Sequence, residues 1–115
     1  MANSMTSSFV LKKNEEGEIY FNFLNSDGEV VLISGEYRDK AMAEEAIKDV
    51  KLNSLMSQQL AAGKTKEGGQ FFVIKGSSGD VLVKSALYTS QMMMDNALHC
   101  VKDNVCVAEV MDLTS

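Results

Sequence analysis

Apolar residues recur along this chain at two different periods, and the switches between them mark out its elements. Phe9-Val10-Leu11-Lys12 reads as a first strand, Glu16-Gly17 as a turn, and Glu18 to Leu24, rich in aromatic and β-branched side chains, as a second strand. Asn25-Ser26-Asp27-Gly28 is a hairpin connection in which Gly28 is free to take positive φ, and Val30 to Ile33 returns as a third strand. The period then becomes helical. Ala43, Ala46, Ile47 and Val50 fall on one face, and Asp39 supplies an N-cap. Glu44 and Glu45 lie toward the positive end of this helix and Lys48 and Lys51 toward its negative end, as the macrodipole favours. Asn53 follows the last apolar position, where an asparagine takes the left-handed conformation that ends a helix.

The same succession returns 51 residues later, without a gap from Gly17 to Ser54. Gly17/Gly68, Phe21/Phe72, Gly28/Gly79, Ser34/Ser85, Tyr37/Tyr88, Val50/Val101 and Asn53/Asn104 are among the identical pairs. Most are glycines, aromatics, β-branched residues or caps, the positions that backbone geometry and packing dictate. Asp39 is matched by Ser90, which keeps the capping chemistry while changing the residue. The second helix turns Met94, Ala97, Leu98 and Val101 to one side, and Val105 to Val110 alternates as a final strand. The expectation is a single α+β domain, residues 1–115, of two repeats, about 9–58 and 59–111, with residues 1–8 a flexible N-terminus. Period 2 divides the strands into two faces. Phe21, Phe23, Val30 and Leu32, with Phe72, Ile74, Val81 and Val83, are expected beneath the helices. Tyr20, Asn22, Val31 and Ile33, with Phe71, Val73, Leu82 and Lys84, are expected on the opposite face.

Gly-x-x-x-Phe, Asp-Gly-Glu-Val, Ser-x-x-Tyr and a capped helix ending in Val-Lys-x-Asn together resemble the YegP-like family of small, mostly bacterial domains. The residues that carry the resemblance are Phe21, Gly28, Ser34, Tyr37, Asp39, Ile47, Val50, Lys51 and Asn53. In the second copy they are Phe72, Gly79, Ser85, Tyr88, Ser90, Leu98, Val101, Lys102 and Asn104. The resemblance runs from about Phe9 to about Asn104. It implies a tandem duplication of a β-β-β-α-β unit. The two units would build a single antiparallel sheet with two helices packed on one face and terminal strands exchanged between the repeats. It implies no established function and no catalytic residue. The chain departs from the family at Ala46 and Ala97, where relatives usually carry glycine before the isoleucine, a change that favours the helix by ~1 kcal/mol.

Composition narrows the chemistry. A formal net charge of −5 with scattered lysines offers no basic stripe, which argues against a nucleic-acid partner. No stretch approaches the ~20 apolar residues of a membrane span. The first eight residues carry neither an apolar run nor a basic leader, and two cysteines form no disulfide scaffold, so a cytoplasmic protein with reduced thiols is expected. His99, Cys100 and Cys106 supply too few ligands, at the wrong spacing, for zinc. Cys100 reads as a small, partly buried filler rather than a reactive thiol. Asn25-Ser26-Asp27-Gly28-Glu29 fails as a calcium loop, because the first ligand position is Phe23. No cofactor is called for.

Two groups remain. Ser34 with Tyr37, and Ser85 with Tyr88, form a repeated polar corner, a candidate ligand site without any general base. Tyr20, Val31, Ile33, Phe71, Val73 and Leu82 form a candidate partner surface on the face away from the helices. The reading is a non-enzymatic binding or interaction module, self-associating or meeting a protein partner through the open sheet face. The alternatives are a small-ligand sensor using the Ser/Tyr corners, or an enzyme whose site the sequence does not display.

Overall fold

Gly28 and Gly79 adopt φ of 84° and 90° in the computed structural model, which describes residues 7–114, and each closes a hairpin. The strands so connected are β1 (Ser8–Lys13), β2 (Ile19–Leu24) and β3 (Val30–Ser34), followed by α1 (Lys40–Asn53). Then come β4 (Leu60–Lys64), β5 (Gln70–Lys75), β6 (Val81–Ser85), α2 (Gln91–Asn104) and β7 (Glu109–Asp112). Residues 1–6, part of the segment expected to be flexible, lie outside the described residues; Ser7 is buried and β1 already begins at Ser8. Asp39 and Ser90 cap the two helices as expected, each accepting from a backbone N–H three residues on: Met42 at 2.9 Å and Met93 at 3.2 Å.

One seven-stranded sheet runs β4-β5-β6-β3-β2-β1-β7. It is mixed rather than wholly antiparallel, because β7 lies parallel to β1. Hairpins impose antiparallel order on β1–β2–β3 and β4–β5–β6; β1 and β7 share no hairpin, so nothing imposes it there. At the centre β3 pairs with β6 in a register of Leu32 with Ser85, Ile33 with Lys84 and Ser34 with Val83. Ile33 and Lys84 stand 51 residues apart, and the flanking pairs interchange under the same shift, so this pairing is symmetric about its middle.

Phe9, Leu11, Phe21, Phe23, Leu32, Phe72, Ile74 and Val83 point from the sheet into one core. There they meet Ala43, Ile47 and Val50 of α1 and Met94 and Val101 of α2. Strand parity departs from simple alternation at four positions, Val30, Val31, Val81 and Leu82. Between Phe23 and Leu24 the partner steps from Leu32 to Val30, and between Ile74 and Lys75 from Val83 to Val81. Val31 and Leu82 are therefore the extra residues of two β-bulges. Each bulge turns its extra residue and the next inward together, so Val31 and Leu82 are core residues at 3% and 6% exposure. Val30 and Val81, expected beneath the helices, are exposed.

Two helix-end expectations also change. Among the described residues no non-glycine residue has positive φ. Asn53 and Asn104 are the last helical residues, and their side-chain amides donate to the carbonyls of Asp49 at 2.7 Å and Cys100 at 2.9 Å. Val105–Val107 is a short 3-10 turn instead of the start of a strand. Val105 stands four residues beyond Val101, extends the helix's apolar stripe and is wholly buried, while Val107 is exposed. Burial on that stripe outweighs the strand-like alternation.

Candidate functional site

Ser34 and Ser85 sit where β3 and β6 end. Each hydroxyl accepts a backbone N–H from the neighbouring strand, Phe21 at 2.8 Å and Phe72 at 2.9 Å, and donates to the next carbonyl, that of Gly35 at 2.7 Å and Ala86 at 2.8 Å. The serines thus replace ladder bonds where the strands part, and their hydrogen-bonding capacity is spent on the fold. Pairing resumes at the isolated bridges Ile19 with Tyr37 and Gln70 with Tyr88.

The tyrosines differ from the serines in what they leave free. Tyr37 stacks on Phe21 at a centroid distance of 6.2 Å and an interplanar angle of 9°. Tyr37 and Tyr88 are both half-buried, and among the described residues neither phenolic oxygen is a buried group left without a partner. Burial pushes the Tyr37 phenol above its ordinary pKa, with further contributions from Asp80 and Asp49. Burial likewise raises Tyr88, with Cys100 and Glu29 adding to it. Glu29 and Asp80 stand 51 residues apart, as do Asp49 and Cys100, so each tyrosine faces the hairpin of the other half and the helix of its own. A cleft of about 470 Å³ opens at Tyr88, lined also by Glu29, Val31, Leu87, Met93 and Cys100. Sequence reading missed it because the hairpin and the helix that wall it come from different halves. The one signal was that an acid recurs at positions 29 and 80.

The sheet's other face carries Tyr20, Ile33, Phe71 and Val73, as expected, and Val30 and Val81 in place of Val31 and Leu82. Ile33 and Val81 are 47% and 56% exposed. Phe71 is partly covered: its ring lies over Gly63, where an added Cβ would meet Cζ at 2.6 Å, and the Lys84 ammonium sits 4.5 Å from its centroid. Val10, on the same face between Asn22 and Met111, is buried outside the main core. The remaining apolar band is centred on β3 and β6.

His99 is exposed on α2. Cys100 is half-buried in the wall of the Tyr88 cleft, and the exposed Cys106 thiol donates to the Lys51 carbonyl at 3.3 Å. Among the described residues no three His, Cys, Asp or Glu side chains cluster as a metal site, and no helix is long and apolar enough to cross a membrane.

A family described as a domain of unknown function, DUF1508, matches residues 14–57. A UPF0339 protein of Pseudomonas aeruginosa is 33% identical over 98 residues, 85% of this chain and 89% of that protein. The UPF0339 protein YegP of Yersinia pestis is 31% identical over 106 residues, 92% and 95% of the two chains. The solution structure of a UPF0339 protein from Shewanella oneidensis superposes with a TM-score of 0.90 at 27% identity, covering 96% of this chain and 93% of that one. The solution structure of yegP from E. coli, a protein of unknown function, superposes equally well at 24% identity over 99% and 98%.

Proposed function

This chain belongs to the UPF0339, YegP-like family, a family of unknown function, and we propose that it works as a non-enzymatic interaction module that meets a protein partner through its open sheet face. The observation that carries this reading is the apolar centre of that face. Val30, Ile33 and Val81 are exposed on adjacent central strands, where the solvated face of an antiparallel sheet ordinarily carries polar side chains. The face belongs to both halves at once, in keeping with a tandem duplication whose repeats join at β3 and β6. The exchange of terminal strands is then one-sided: β7 crosses to the first half, while the first half's chain runs on into β4. The net charge and the absence of a basic stripe fit a protein partner better than a nucleic acid, and we place the module in the cytoplasm.

The test is Ile33→Glu combined with Val81→Glu. Both side chains are exposed, so the double variant folds with an unchanged melting temperature. A photo-crosslinker at position 30 captures a partner, or a second copy, in the parent chain, and the double variant abolishes the adduct. An adduct of equal yield in the double variant would sink the reading.

A second reading rests on the Tyr88 cleft, whose volume suits a small ligand and whose lining includes Tyr88. Native mass spectrometry of freshly purified chain tests it. A retained mass that disappears in Tyr88→Phe supports a ligand held through that hydroxyl, and the bare chain mass alone counts against it.

A further inference from the structure

The two ends of the sheet are built alike but finished differently. At the β1 end, β7 lies along the edge, with Phe9 beside Val110 and Leu11 beside Asp112. Val110 lines one wall of a cleft of about 340 Å³ whose other wall is Glu44, Ile47, Lys48 and Lys51 of α1. The Lys51 ammonium donates to the Ala108 carbonyl at 2.9 Å, and the Leu113 N–H donates to the Leu11 carbonyl at 2.9 Å. In the second half the same four helix positions, 51 residues on, are Asp95, Leu98, His99 and Lys102, which line a smaller cleft of about 110 Å³ on α2, and among the described residues no strand covers the β4 edge.

Burial follows the missing strand. Phe9, Leu11 and Ile47 are at most 2% exposed, whereas their counterparts Leu60 and Leu98 are only partly buried and Ala62 is exposed. Lys102 has no hydrogen-bond or ion-pair partner among the described residues, where Lys51 has a carbonyl. Beyond its short length and Lys64, the edge carries no protection. Leu60-Ala61-Ala62-Gly63 has no proline, no bulge and no charge before Lys64.

We propose that the free edge of β4 and the α2 cleft of Leu98, His99 and Lys102 form a docking site for an extended segment of a partner protein, added parallel to β4. The segment's backbone completes the ladder. An aliphatic side chain seats against Leu98, and the carbonyl two residues before it is taken by Lys102, as Ala108 is by Lys51. A terminal acid is not selected, because Gln91 stands where Lys40 pairs with Asp112, and Gln91 already donates to Asp95 at 3.0 Å. A second copy is a poorer occupant. Its β7 is held to its own β1, and an antiparallel β4–β4 pairing leaves the α2 cleft unfilled. This inference stands apart from the open-face reading.

The chain's own strand supplies the probe. A fluorescent peptide of the sequence VAEVMDLT is titrated into the full chain by anisotropy, and the site is mapped from backbone amide chemical shifts. The expected result is saturable binding, with shifts confined to β4 and α2. Affinity falls at least tenfold in Leu98→Glu and in Lys102→Glu and is unchanged in Ile33→Glu. Lys102 is exposed, so its variant remains informative even where Leu98→Glu does not fold. Absence of binding, shifts at β1 that report displacement of β7, or affinity retained in Lys102→Glu would overturn the proposal. So would a β4–β4 dimer, seen by sedimentation, that the peptide does not dissolve.

Discussion

Glutamate at position 81 and glutamate at position 82 should have opposite consequences, although the residues are neighbours of similar character. Val81 is 56% exposed and Leu82 is 6% exposed, because the bulge turns Leu82 inward. Val81→Glu is expected to change stability by no more than about 0.5 kcal/mol, as for other surface substitutions. Leu82→Glu loses at least the ~2–5 kcal/mol of a large-to-small core change, with the cost of a desolvated carboxylate added. Urea denaturation of the two variants measures the difference, and equal midpoints would mean that the bulge is absent. The sequence hid this because Val30-Val31-Leu32-Ile33 is four apolar residues in a row, in which alternation cannot be read, whereas Phe21-Asn22-Phe23 displays its parity openly. The tyrosines make a second prediction at this scale. Burial raises both folded phenols, so the folded state keeps their protons longer than the unfolded chain does. Their contribution to stability is therefore intact below the ordinary tyrosine pKa of about 10 and is lost as pH climbs through the raised folded values. Absorbance titration of Tyr20→Phe, which leaves only Tyr37 and Tyr88 as phenols, should show both ionising late. Phenols that titrate at the ordinary value would place the rings in solvent.

Among the elements, β7 is the one whose stabilising contacts lie mainly outside it. Its four side chains are all exposed, while the turn before it buries Val105 completely and the residue between them, Ala108, to 4% exposure. Lys40 and Thr114 hold the Asp112 carboxyl well below the usual carboxylate range, Lys40 first, but this pair is at the surface and adds little. Truncation should therefore act in two steps. Ending the chain at Ala108 removes ladder bonds and the cover over the α1 cleft, a modest loss. Ending it at Asn104 also removes Val105, worth ~1.5–3 kcal/mol when fully buried, and leaves the Lys51 ammonium without its carbonyl. Thermal melts of the two truncations should separate; coincident melts would place the stabilisation in the strand itself. The helices were the most legible elements, since Asp39, Ser90 and two i, i+3, i+4 stripes define them locally. Their ends were less so. An asparagine after an apolar stripe fits a left-handed cap and a side-chain bond to the carbonyl four residues back equally well, and only φ distinguishes the two.

At the scale of the molecule, the sequence displayed two similar halves but not how closely they are joined. The central register of Ile33 with Lys84 and the parallel docking of β7 on β1 depend on contacts between residues far apart in the chain, and no local pattern carries them. The cleft at Tyr88 was hidden for the same reason. The core, however, is one cluster. It contains Leu11, Phe21 and Ile47 from the first half and Phe72, Ile74 and Val101 from the second, while β3 and β6 carry it across the middle of the sheet. α1 also reaches over to β5 and β6, so the first helix packs on strands of the second half. Neither half closes a core alone, and both should unfold in one transition. Calorimetry is expected to give a van't Hoff enthalpy equal to the calorimetric one. Leu11→Ala and Ile74→Ala, in opposite halves, should each lower that same transition through a loss of ~2–5 kcal/mol. The physical alternative is two weakly coupled halves. In that case Leu11→Ala would split the melt in two, leaving the upper transition at the parent temperature, and the reading of 7–114 as one cooperative unit would fail.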